Sequence, residues 1–353
     1  MSQTTQGGPE RLKVSISMGE TAITLFGVDT RDYYFNSDVM ADVEARFWER
    51  FQPDGAGISL TLRGMAEAMG SEMLYRNHCI PSVKTPRVRK PEDVYELRVP
   101  DPLKDGRLPI VLEALVKLKE RLDGKSGVGA GMAGPVSVAI AVCGAENFLR
   151  WTRRHPDEVR HLMEVITEGN NRYIDELGKR GIVGLSFSDP VASTDLLGYK
   201  QFLEFSLPYF TENVRHGGKV LGKNPGTHIC GHTRGIWEDI MGSGVSAFSV
   251  DNVEDLAEAK EVMGNSVALI GNVPPVNVLN LGKEEDIKRS VAECILKAHD
   301  SPKGYVLGSG CQVPLFTPAE NVEAYIRWGK ELGKLPIDTE RLRRIAEGDG
   351  AAA

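Results

Sequence analysis

Short β-branched or apolar runs alternate along the chain with longer stretches in which apolar positions recur every three or four residues. This is the pattern of parallel βα units. Strands are predicted over 57–62, 128–132, 182–188, 219–221 leading to 227–230, 246–250, 267–270 and 305–307, with an eighth at 13–16. Helices are predicted over 38–51, 110–122, 156–179, 199–216, 254–263, 284–299 and 318–332, each with charged residues between its apolar positions. Thr317-Pro318 and Lys283-Glu284-Glu285-Asp286 are N-terminal signals, and Gly264 and Gly329-Lys330 mark late helix positions.

The order of these elements predicts an α/β fold, a (β/α)8 TIM-type barrel rather than an open sheet. No repeat, linker or composition break divides the chain, so 1–353 reads as a single domain. An N-terminal extension and first helix occupy 1–50, the barrel 51–340 and a C-terminal tail 341–353, frayed from 348. The stretch 73–99 is polar and interrupted by prolines; it reads as an insertion, a hairpin or cap over the barrel mouth.

Composition narrows the function. With 353 residues the chain can bury a large core without disulfides. Lys and Arg number 42 against 49 Asp and Glu, a net charge of −7, which leaves no basic excess for nucleic acid. Residues 1–20 lack the apolar core of a signal peptide, and the most apolar run, 135–145, is about half of what a bilayer requires. No membrane association and a cytoplasmic location are expected. Five irregularly spaced cysteines fit a reducing compartment. The 38 glycines, about 11% against a background of about 7%, recur at or just beyond strand ends, where a barrel builds its catalytic face. They read as space cleared there for a large cofactor.

The chemistry centres on Thr227-His228-Ile229-Cys230-Gly231. On an extended strand, residues two apart project to one side, so His228 and Cys230 can meet at one point. Leu307-Gly308-Ser309-Gly310-Cys311 brings a second cysteine to a strand end lined by small residues. One imidazole and two thiolates suit Zn²⁺ with an exchangeable fourth position. Asp251 either supplies that fourth position or caps the helix that follows it. Asp189-Pro190 either places a carboxylate at the mouth or starts a turn; Gly271-Asn272 offers an amide there, and Ser309 and Gly310 are placed to line the substrate site. Gly129-x-Gly131-x-x-Gly134 matches a dinucleotide fingerprint, but its strand is short and Pro135-Val136-Ser137 follows it. His78-Cys79 and His155 read as structural, and Cys143 and Cys294 as core.

Thr227-His-Ile-Cys-Gly231, Gly308-Ser-Gly-Cys311, Gly134-Pro135, Asp189-Pro190, Gly271-Asn272 and Pro318-Ala-Glu-Asn321 together resemble the uroporphyrinogen decarboxylase superfamily, from about Phe51 to Leu335. Within it they are similar to the methylcobalamin:coenzyme M methyltransferase branch. The resemblance implies a barrel with zinc at its C-terminal mouth, bound through His228, Cys230 and Cys311, with Asp251 standing where the family has a glutamate. It implies zinc-dependent transfer of a methyl group from methylcobalamin, carried by a corrinoid protein, to a small-molecule thiol such as coenzyme M through a zinc-bound thiolate. Decarboxylases of the superfamily carry an arginine-rich N-terminal motif that 11–20 lacks. Alternatives are corrinoid-dependent transfer to tetrahydrofolate, a metal-free lyase using Asp189, and a non-catalytic corrinoid-binding barrel.

Overall fold

The computed structural model describes residues 10–348; the first nine residues, and all of the frayed end expected from Gly348 except Gly348 itself, lie outside the described residues. Its strands are β1 (Lys13–Val14), β2 (Ala56–Ser59), β3 (Glu72–Leu74), β4 (Ser82–Thr85), β5 (Val128–Ala133), β6 (Gly184–Ser188), β7 (Gly226–His228), β8 (Ala247–Ser249), β9 (Ala268–Val273) and β10 (Tyr305–Ser309). Eight of them form one parallel sheet in the order β1-β10-β9-β8-β7-β6-β5-β2, with helices between successive strands. This is the TIM-type barrel the pattern predicts.

The sheet has no ladder between β1 and β2. Asp54 bridges them instead: its N–H donates to the Val14 carbonyl at 2.8 Å and its carboxylate accepts from the Val14 N–H at 2.7 Å. Arg11 pairs with the same carboxylate, so one side chain completes the cylinder where backbone pairing stops.

The helices follow their caps and apolar stripes. Asn36 accepts from the N–H groups of Asp38 and Val39 to start Ser37–Phe51, which buries Met40, Val43, Phe47 and Phe51. Buried amides also join neighbours. Asn170 in Pro156–Lys179 donates to Asn213 in Leu207–Leu221, which in turn donates to Asn171 and to the Thr167 carbonyl.

Several expectations are corrected. Residues 219–221 are not a strand but the last turn of Leu207–Leu221. Gly217 and Gly218 lie inside this helix and bring it against Pro225 and Asn224. The helix expected over 199–216 is two, Tyr199–Phe205 and Leu207–Leu221, because Pro208 lacks the N–H needed to continue the first. The apolar run from 135 is a helix, Pro135–Cys143, buried on nearly every side, so its sequence shows no 3.6-residue period. The chain beyond 341 continues a helix, Thr339–Glu347, started by Asp338 and anchored by buried Leu342. The expected insertion holds an antiparallel hairpin, β3 with β4, whose loop carries Ile80 to the barrel mouth.

Candidate metal centre

β7 delivers His228 to the C-terminal mouth, and the chain continues through Ile229 to Cys230. The period of two then brings His228 Nε2 to 3.1 Å from Cys230 Sγ. Gly231, at φ +77°, turns the chain away directly after. Cys311, two residues past β10, places its Sγ 3.2 Å from that of Cys230. Asp251, two residues past β8, completes a set in which one donor atom from each of His228, Cys230, Asp251 and Cys311 lies within 4.8 Å of the others.

Surrounding groups aim these donors. His228 Nδ1 lies 3.1 Å from both the carbonyl oxygen and Oγ of Ser249, which turns Nε2 toward the sulfurs. Asp251 accepts from the Gly231 N–H at 2.9 Å and from the Val253 N–H at 3.0 Å. The helix after it, Leu256–Met263, is capped by Asp255, which accepts from Ala257 and Glu258. Of the two roles open to Asp251 in the sequence, the helix cap therefore belongs to its neighbour.

The electrostatics match a cluster built for a cation. A hydrogen bond from Cys230, reinforced by His228, lowers the Cys311 thiol to about 5 despite its burial. Cys230 shifts the other way, raised through the same bond to Cys311 and through burial. The His228 imidazole is raised: burial opposes its charge, but its contact with the Cys311 sulfur outweighs that. Cys143 and Cys294, buried with only the Gly144 carbonyl and the Asn272 amide oxygen as partners, are pushed up to about 12 and about 11 and behave as core. One nitrogen, two sulfurs and one carboxylate oxygen converging from three strand ends are a donor set that fits Zn²⁺.

His228, Cys230 and Cys311 form one wall of a cavity of about 280 Å³, with Asp251 buried behind them. Met132 and Ser188 line it from β5 and β6, Ser59, Thr61, Leu62 and Arg63 from β2 and the loop beyond, and Ile80 from the hairpin. Glu20 and Gln312 close another side, with Gln312 and the Tyr34 hydroxyl both donating to Glu20 at 2.7 Å. Gln312, Thr61 and Ser188 lie near strand ends and could have been found by that rule; Glu20, Arg63 and Ile80 sit in loops with no periodic signature.

The four residues expected to bind substrate lie at the same end of the barrel but do not line this cavity. Asp189 is buried, and its carboxylate accepts from the N–H groups of Val136 and Ser137 and from Ser137 Oγ at 2.6 Å. It thereby caps Pro135–Cys143 from the next strand. The same contact disposes of the dinucleotide fingerprint: a helix does follow β5, but a carboxylate occupies the N-terminus a pyrophosphate would need. Asn272 donates to the carbonyls of Asp251 and Glu254 and so holds the Asp251 loop. Ser309 Oγ accepts from the Ser17 N–H at 3.1 Å. Gly310 has no room for a side chain, since an added Cβ would fall 2.6 Å from Asn252 N. The glycine at this strand end therefore lets two protein segments touch; it does not clear space for a cofactor.

Comparison with known proteins agrees with this architecture. The uroporphyrinogen decarboxylase family profile matches residues 7–332. A methylated-thiol–coenzyme M methyltransferase of Methanosarcina mazei is 31% identical over 323 residues, spanning 90% of this chain and 84% of its own length. A methylcobamide:CoM methyltransferase of Methanosarcina barkeri is 29% identical over 82% of this chain and 84% of its own. A solved structure described as a methyltransferase from Methanosarcina mazei superposes with a TM-score of 0.81 at 26% identity, covering 92% of this chain and 95% of that one. The chain belongs to the uroporphyrinogen decarboxylase family, and within it resembles the coenzyme M methyltransferases.

Proposed function

We propose that this methyltransferase moves a methyl group from a methylated corrinoid, carried on a corrinoid protein, to a small thiol such as coenzyme M. Zinc would be held by His228, Cys230, Cys311 and Asp251. The observation that carries the reading is the convergence of these four donors within 4.8 Å, three of them, His228, Cys230 and Cys311, on the wall of one cavity. Bound zinc supplies a means of keeping an acceptor thiol deprotonated at neutral pH.

The chain's own residues prepare the rest. Ser249 orients His228, and Asn272 holds the loop of Asp251. Met132, Leu62 and Ile80 give the cavity an apolar side that limits water around a reacting sulfur. Arg63 is the cation on the cavity wall, and among the described residues its side chain has no acidic partner, which suits an acceptor with an anionic tail. Exposed Ile80 on the cavity lining, with exposed Phe316 packed on His78 two residues before it, leaves an apolar margin against which a corrinoid carrier can seat. Asp189, the residue a metal-free lyase would use, has its carboxylate committed to a helix N-terminus.

Two measurements test the proposal. Purified protein should carry close to one zinc per chain, and His228→Ala and Cys311→Ala should lose it while remaining folded; zinc retained in both would remove the site. Methylcob(III)alamin should convert to cob(I)alamin, followed by absorbance, on addition of coenzyme M. Conversion with tetrahydrofolate alone would favour the other acceptor, and none with either would end the transferase reading.

A further inference from the structure

Two charges on the wall of the metal-centre cavity have no counter-charge in the described protein. Glu20 is the one acid among the lining residues, and it is buried. Its carboxylate accepts from the Tyr34 hydroxyl and the Gln312 amide, each at 2.7 Å. Both donors are neutral, so the negative charge remains, and holding it away from water is costly until a cation meets it. A carboxylate has about four acceptor positions, and these two bonds leave the others open. Gln312 lines this cavity, whereas Tyr34 lines only a neighbouring one, so the Glu20 oxygen that meets Gln312 lies on the side of the metal centre.

Arg63 brings the opposite charge from the loop after β2. Its guanidinium has no acidic partner among the described residues, Glu20 included. A planar guanidinium binds a carboxylate through two parallel hydrogen bonds. A sulfonate tail alone would answer Arg63, but it would bring a second negative charge into the space that already holds Glu20. A tail with an ammonium beside a carboxylate answers both residues. At about 280 Å³ the cavity sits at the lower edge of ligand pockets, which limits the occupant to a short chain between these charges and a sulfur at the cluster.

We propose that the acceptor is a short α-amino-acid thiol of the homocysteine class, with Glu20 binding its ammonium and Arg63 its carboxylate. This rests on the thiol-acceptor reading and narrows it: Glu20 is the residue that selects against purely anionic thiols. The thiol gives up its proton, its sulfur bonds the methyl carbon, and the corrinoid keeps the electron pair of the broken cobalt–carbon bond. The product is a methylthioether amino acid.

Calorimetric titration of the full chain as purified reads the tail without any transfer, using L-methionine and two truncated relatives. Methionine should bind saturably. It should bind at least about tenfold more tightly than 4-(methylthio)butanoate, which lacks only the ammonium, or 3-(methylthio)propylamine, which lacks only the carboxylate. Glu20→Gln should abolish the preference over the first, and Arg63→Gln the preference over the second. No saturable binding of methionine, or equal binding of either relative, would overturn the proposal, and both outcomes are read on unmodified protein. In the corrinoid assay, L-homocysteine should exceed coenzyme M by at least about tenfold in kcat/KM; coenzyme M equal or better would overturn it too. If neither thiol reacts while the methionine series still discriminates, the transferase reading falls and the acceptor role with it, and Glu20 and Arg63 remain an amino-acid site.

Discussion

Ser249 meets His228 twice, with its backbone oxygen and its Oγ each 3.1 Å from the imidazole Nδ1. The contact crosses from β8 to β7, where Ser249 and His228 are paired in register. It makes Nδ1 the donor edge and leaves the Nε2 lone pair for the cluster. Ser249→Ala removes the Oγ and keeps the carbonyl, so the ring should stay in place but less firmly. Zinc affinity, measured by chelator competition, is expected to fall about tenfold with little change in melting temperature. An unchanged affinity would show that the carbonyl alone sets the ring.

Gly310 controls how closely the Cys311 segment approaches the Asp251 segment. An added Cβ would lie 2.6 Å from Asn252 N and 2.7 Å from Asn252 Cβ, and backbone cannot withdraw as a flexible side-chain tip can. Gly310→Ala should cost about 1–3 kcal/mol of stability and weaken zinc binding, because the displaced segments carry two of the four donors. Gly242→Ala, where nothing stands within 4 Å of the new atom, is the control and should leave both properties unchanged. Denaturant titration and metal analysis of the two variants separate packing from a general cost of removing glycine.

Much of this site was legible because strand geometry is simple. His228 and Cys230 are paired by the two-residue period, and Cys311 by its place after a glycine-rich strand end. Asp251 was legible only as a choice of two roles, since Asp255, four residues later, offers the same capping chemistry and nothing local says which carboxylate turns toward the helix. Asp189, Asn272, Ser309 and Gly310 show the limit of the rule. Position past a strand fixes height on the barrel, but the direction of a side chain depends on its neighbours. The helix Pro135–Cys143 was hidden for a related reason, because a helix covered on both faces carries no polar stripe.

Asp189 makes the fold sensitive to pH in a particular direction. Burial raises its pKa from 3.8 to about 6, against the pull of its bonds to Ser137 and Val136. An acid that holds its proton more tightly when folded favours the folded state below its unfolded pKa, and that contribution is lost as pH rises through about 6. Asp189→Asn is neutral throughout. The stability of the natural chain minus that of the variant should therefore fall by up to about 3 kcal/mol between pH 4 and pH 7, roughly two pKa units' worth. Urea unfolding of both proteins across that range measures it; a difference that stays flat or rises would show an ordinary, ionised cap.

Removing the metal should change the redox chemistry of the mouth. The sulfurs of Cys230 and Cys311 are 3.2 Å apart although 81 residues separate them in the chain, and closing to a disulfide at about 2.05 Å needs a movement of roughly 1 Å. With a cation between the donors, the thiolates are engaged and the pair is held apart. After chelation, a mild oxidant such as diamide should take the two thiol hydrogens and join Cys230 to Cys311, with zinc binding returning on reduction. The zinc-loaded protein should resist the same treatment at these positions. Exposed Cys79 serves as an internal reference, since its reaction should not depend on the metal, whereas Cys143 and Cys294 are buried. Peptide mapping that finds the Cys230–Cys311 link only in the metal-free protein would establish both the proximity of the sulfurs and their shared occupant. Equal linkage with and without zinc would mean that the ion does not sit between them.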